Sequence, residues 1–128
     1  MAKRIGFEAE LEILAPVSLN IVCFRYRDAA TGETGLDRLN ENLVQDLQES
    51  GVAAPSTTRI RGRLAIRVNI TNHRCRRADL DLLIEAVLAA GRERKALLYT
   101  KAQFRVGNKA WLALSSKPSQ RARTLLVR

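Results

Sequence analysis

The chain has 128 residues, of which 46% are hydrophobic and 27% charged, with 22 Lys and Arg against 13 Asp and Glu for a net charge of +9. That length fits one domain with a modest core, and the two cysteines, Cys23 and Cys75, have neither zinc-site spacing nor the pattern of a disulfide framework. A cysteine zinc site and a disulfide-stapled secreted scaffold are therefore not expected, and with no apolar stretch behind Met1-Ala-Lys-Arg and no run long enough to span a bilayer, the expectation is a cytoplasmic protein with no membrane partner.

Leu11 and Ile13 alternate with glutamates between Glu8 and Leu14, the Ala15-Pro16-Val17-Ser18 break follows, and Leu19 to Arg27 is rich in β-formers, which predicts a strand, a turn and a second strand. Phe24 and Tyr26 share a face with Asn20 and Val22 and read as packing residues. After the polar loop 28–35, Thr34 and Asp37 have the spacing of a capping box, and Leu36, Leu39, Leu43 and Leu47 recur at helical spacing up to Gly51, a natural left-handed stop. Two further strands, Ser56 to Ile60 and Arg63 to Ile70, flank Arg61-Gly62, a tight hairpin with positive φ at Gly62.

In the last of these strands Leu64, Ile66, Val68 and Ile70 alternate with Ala65, Arg67 and Asn69. The aliphatic residues point to one face and Arg67 to the other. A guanidinium there offers a planar fork of donors matched to a carboxylate or phosphate; the plainer reading is a solvated arginine on an exposed face. His73 and Arg74, followed by Arg76 and Arg77, precede the next helix and form a candidate anion-binding corner, against the reading of a solvated helix start whose arginines oppose the dipole. Leu80, Leu83, Ile84, Val87 and Leu88 define that helix, from about Arg76 to Ala90, with Gly91 as its expected stop. The order ββαββα predicts an α+β two-layer sandwich: a four-stranded, mainly antiparallel sheet with two helices on one face and the other face, with Arg67, uncovered.

All of the excess charge lies at the end: residues 1–91 hold 12 basic and 12 acidic residues, residues 92–128 the other 10 basic residues and Glu93 alone. A boundary near Arg94 divides a balanced domain, 1–94, from a basic tail, 95–128, whose short apolar islands keep no period and which is expected to be loosely structured.

The runs Leu14-Ala-Pro-Val-Ser-Leu-Asn-Ile-Val-Cys-Phe-Arg-Tyr-Arg27, Leu39-Asn40, Gly51 to Thr58, Gly62-Arg-Leu-Ala-Ile-Arg-Val-Asn-Ile-Thr-Asn-His73 and Asp79 to Ile84 resemble the C-terminal small domain of group II pyridoxal-phosphate (PLP)-dependent decarboxylases, the family that acts on aromatic amino acids, tyrosine, glutamate and diaminobutyrate. The resemblance covers Phe7 to Glu93. It implies that the bare sheet face packs on a large PLP-binding domain, that the complete enzyme is a homodimer, and that Arg67 faces the active site and contacts the substrate carboxylate. It also implies that Cys75 stands where relatives carry a capping Ser or Thr, so that helix should start weakly. The family's Schiff-base lysine and cofactor-holding residues have no matching position here. No catalytic, cofactor-binding or metal-ligating residue is therefore expected, and the chain is read as a truncated or detached portion, inactive alone. Two other readings stay open. One is a basic nucleic-acid-binding α+β module, weakened because the strands lack an RNP-type aromatic pair and the basic excess lies outside the folded part, so that nucleic acid is not the expected partner. The other is a stand-alone interaction or regulatory domain.

Overall fold

The computed structural model describes residues 1–115, with side chains for residues 1–106. The elements are α1 (Ala2–Ile5), β1 (Leu11–Ile13), β2 (Ile21–Tyr26), α2 (Glu33–Glu49), β3 (Ser56–Ile60), β4 (Arg63–Asn69) and α3 (Arg77–Ser115). The strands form one antiparallel sheet in the order β1-β2-β4-β3. Its core face supplies Leu11, Val22, Phe24, Tyr26, Ile66 and Val68, which bury against Leu39, Leu43, Val44 and Leu47 of α2 and Leu83, Ile84, Val87 and Leu88 of α3. Both helices thus cover one face, and the α+β two-layer sandwich expected from the alternation is observed. Phe24 and Tyr26 are fully buried packing residues, as expected. The chain divides into two compact units, Met1–Lys95 and Ala96–Arg128.

The turns follow their residues. Arg61 and Gly62 both have positive φ (51° and 79°), the backbone that lets a two-residue loop follow the twist of its strands. Gly51, at φ 69°, ends α2. The short α1 is not legible in the sequence pattern; its Ile5 is fully buried in the core.

Asp37 is not a capping residue. α2 starts at Glu33 with Gly32 as its cap position and no side-chain cap bond. The Asp37 carboxylate instead accepts from the Leu64 backbone N–H (3.0 Å) and from Arg59 (2.8 Å). The reason lies in the sheet. β2 and β4 pair from Ile21↔Asn69 to Phe24↔Ile66, and one step further Tyr26 would exchange backbone bonds with Leu64. At that step two side chains of α2 take the place of the ladder: Asn40, fully buried, accepts from the Tyr26 N–H (2.8 Å) and donates to the Tyr26 carbonyl (2.9 Å), while Asp37 serves Leu64. A helix is thereby fixed in register on its sheet.

Gly91 is not a stop. α3 runs through it to Ser115, so the described part of the 95–128 segment is helical; the loop-like Lys117–Arg123 stretch lies outside the described residues. The glycine serves close approach: a Cβ there would overlap Cδ2 and Cε2 of the Tyr26 ring. The Tyr26 hydroxyl donates to Glu10 (2.9 Å), and burial followed by that carboxylate pushes the phenol well above its ordinary range.

Ion pairs tie the layers of this first unit together. Hydrogen bonds from Arg94 hold the Asp46 carboxyl below the usual carboxylate range, and Arg92 does the same for Glu10. For Asp37 burial works the other way but is outweighed by the Leu64 N–H and Arg59, and the net shift is again downward. A carboxyl whose pKa is lower in the folded state contributes stability that is complete above its unfolded value, near 4, and is lost as pH falls through the folded value. The urea midpoint is therefore expected to hold down to about pH 5 and to fall below about pH 4. Asp46→Asn should lower the midpoint at neutral pH and make the acid limb shallower, which a pH series of urea melts reads directly.

Candidate functional site on the outer sheet face

The register places Glu12 on β1, Cys23 and Arg25 on β2, Arg63, Ala65 and Arg67 on β4, and Ser56 and Thr58 on β3 on the face away from the helices. At the β1 side this face is not bare, as the sequence had suggested. Arg25, only 3% exposed, donates through Nε to Glu12 (3.0 Å) and through both terminal nitrogens to Glu33 at the start of α2 (2.7 and 3.2 Å). Arg63 adds a bond to Glu12 (3.4 Å). This two-by-two lattice of guanidinium and carboxylate groups satisfies the buried charge, and the Arg25 hydrogen bonds hold the Glu33 carboxyl low.

Arg67 is different. Of the four strand arginines, Arg25, Arg59 and Arg63 are each paired with a carboxylate, whereas no acceptor for the half-buried Arg67 guanidinium is found among the described residues. It sits directly across from Cys23 on one side and Ser56 on the other. It also lines a pocket of about 290 Å³ at the end of β4, together with Ser56, Asn69, Asn72, Cys75 and Asp79 and, on the inner wall, Ile70, Leu80 and Leu83. The one other charged residue of the lining is Asp79, whose Oδ2 accepts from the Arg76 N–H, and a fork of donors without a carboxylate partner in a concave site is chemically suited to one small oxyanion. The lining contains no lysine and no histidine, so nothing in it could form a Schiff base with PLP or stack on its ring.

His73 and Arg74 are exposed in the loop between β4 and α3 and do not line the pocket. The backbone donors near them are already used: Arg74 N–H donates to Asn72 Oδ1 (2.9 Å) and Arg76 N–H to Asp79 Oδ2 (2.8 Å). Asp79, in the first turn of α3, thus reaches back to cap the helix from inside. Cys75 lies one residue before the cap position, so it is not the residue that caps α3.

Next to the pocket, the β1–β2 connection presents an apolar tip. Leu19 is 96% exposed at φ 53°, a conformation that costs a leucine about 1–2 kcal/mol. It is held there by the Ile21 N–H bond to the Ser18 carbonyl (3.0 Å) and by Asn20, which exchanges bonds with Ile70 of the pocket wall (3.1 and 2.9 Å). Val17, two residues earlier, is 48% exposed.

No protein-family model matches the chain. Its fold and sequence are nevertheless similar to group II PLP-dependent amino-acid decarboxylases over about 70% of its length. It is 27% identical over 90 residues to an aromatic-L-amino-acid decarboxylase of Bacillus atrophaeus, a match that takes in 70% of this chain and 19% of the relative. The glutamate decarboxylase domain of a diaminobutyrate-pyruvate transaminase and L-2,4-diaminobutyrate decarboxylase from Vibrio parahaemolyticus superposes with a TM-score of 0.65 at 27% identity, over 72% of this chain and 19% of that one. Oryza sativa TDC, solved with PLP and tryptamine, shares the fold at a TM-score of 0.66 and 23% identity over 71% of this chain and 20% of its own. The chain spans about a fifth of the length of the curated relative it matches.

Proposed function

We propose that this chain is the small-domain portion, residues 1–94, of a PLP-dependent L-amino-acid decarboxylase, a carbon–carbon lyase, and that Arg67 binds the carboxylate of its amino-acid substrate. The observation that carries the reading is the unpaired, half-buried Arg67 guanidinium in a pocket, on a sheet whose other arginines are all neutralised. PLP is held in this reading by a larger body of the same enzyme. Such a body accords with relatives about five times as long as the matched stretch and with a pocket that lacks a lysine. That body docks on the outer sheet face, where the strained, exposed Leu19 tip supplies an apolar anchor beside the pocket. The same reading makes the complete enzyme a cytoplasmic homo-oligomer. An anion-binding role for His73 and Arg74 rests on side-chain charge alone, since their neighbouring N–H groups are occupied.

Elementary energetics limits what Arg67 can do. Decarboxylation converts a carboxylate into neutral CO2, so an ion pair to that group stabilises the bound substrate more than the transition state. Arg67 therefore selects and positions. In a chimera carrying this chain's Phe7–Glu93 in place of the matched stretch of the Bacillus atrophaeus relative, Arg67→Ala should raise KM about tenfold or more with a smaller change in kcat, a loss of uniform binding. The thermal midpoint should not move, since a side chain off the core face leaves no cavity. Unchanged kinetics would remove Arg67 from the site.

A further inference from the structure

The pocket beside Arg67 carries two opposite charges on two different elements. Arg67 extends from β4 and Asp79 from the first turn of α3, and they are the two charged residues of the lining. They do not pair with one another. One oxygen of the exposed Asp79 carboxylate accepts from the Arg76 N–H (2.8 Å), and the other has no partner among the described residues. The inner wall of the same pocket is aliphatic, formed by Ile70, Leu80 and Leu83. Together a donor fork, a free carboxylate oxygen and an apolar wall discriminate among amino acids. A ligand whose carboxylate lies on Arg67 finds no second cation in the lining, so an acidic side chain would carry its charge toward Asp79 uncompensated. A neutral aliphatic side chain uses the wall and leaves the Asp79 oxygen to water. A chain of methylenes ending in an ammonium uses all three features, its stem on the wall and its head on the carboxylate.

We propose that this pocket selects amino acids with a cationic side chain, Asp79 receiving the side-chain ammonium while Arg67 holds the carboxylate. The inference rests on the reading of Arg67 as the carboxylate anchor and adds Asp79 as the residue that sets specificity. The test is an NMR chemical-shift titration of the full chain at neutral pH, without cofactor, with L-ornithine, its neutral isostere L-norleucine, and L-glutamate. An ion pair to an exposed carboxylate is worth up to about fivefold in affinity, so ornithine should bind about fivefold more tightly than norleucine, and glutamate more weakly than either. Asp79→Asn, whose side-chain carbonyl can still accept from the Arg76 N–H, should bring ornithine to the level of norleucine. Arg67→Ala should weaken both by about tenfold. An unchanged urea midpoint for Asp79→Asn would confirm that the start of α3 is intact, and the comparison of ornithine with norleucine on the wild-type chain needs no variant. Equal binding of ornithine and norleucine, a preference that survives Asp79→Asn, or glutamate bound as tightly as ornithine would each overturn the inference while leaving Arg67 in its role. Absence of binding by all three would overturn it too, with Arg67 then judged by the kinetics of the chimera. Wild-type binding of both ligands by Arg67→Ala would overturn the reading of Arg67 and the inference with it.

Discussion

Asn40→Ala is expected to destabilise the protein by about 3–5 kcal/mol, a large fraction of the stability of a domain this size. The side chain is fully buried and is the partner of both the N–H and the carbonyl of Tyr26 where β2 and β4 have parted. A buried backbone donor or acceptor left without a partner costs about 1–3 kcal/mol, and here one truncation orphans both while opening a small cavity. Asn40→Asp keeps the shape and the acceptor but loses both amide donations, to Tyr26 and to the Leu36 carbonyl, and places a carboxylate among carbonyl oxygens. Urea unfolding should therefore rank wild type above both variants by a wide margin. A midpoint for Asn40→Ala close to wild type would mean that the Tyr26 backbone has other partners.

Gly91→Val should cost about 3 kcal/mol, although replacing a helical glycine ordinarily strengthens a helix by up to about 1 kcal/mol. The helix passes Tyr26 so closely that a branched side chain at residue 91 would have to displace the ring, and the ring is fully buried with its hydroxyl tied to Glu10. Relief by moving Tyr26 would break that bond and disturb the Glu10–Arg92 pair. The pairing of Gly91→Val with Tyr26→Leu separates causes: if the clash is with the ring, removing the ring should recover much of the loss measured for Gly91→Val.

These two residues also mark where sequence reading stops. The strands, the Arg61-Gly62 hairpin and the Gly51 stop were legible because each depends on local alternation or on a backbone conformation that glycine permits. Gly91 carries the same letter as Gly51 and sits at the same kind of place, after a run of helical apolar residues. What distinguishes them is Tyr26, 65 positions away in sequence, and nothing local encodes it. Asp37 had capping spacing, but the unpaired Leu64 N–H took its carboxylate; Asn40 sits on a leucine-rich face as if it were a flaw in the pattern. For the candidate site, alternation placed Arg67 on the outer face correctly. That Arg67, of the four strand arginines among the described residues, is the one left without a carboxylate could not be read, because it depends on Glu12 of β1 and Glu33 and Asp37 of α2 being drawn to Arg25, Arg63 and Arg59 on three separate strands.

The most direct test of the account is CO2 release from L-amino acids in the presence of PLP, measured for the chain alone and for the chimera in which its Phe7–Glu93 stretch replaces the matched portion of the Bacillus atrophaeus relative. No turnover and no dialysis-resistant cofactor absorbance are expected for the chain alone, and turnover is expected for the chimera. Turnover by the chain alone, or a chimera that folds and binds PLP yet releases no CO2, would contradict it.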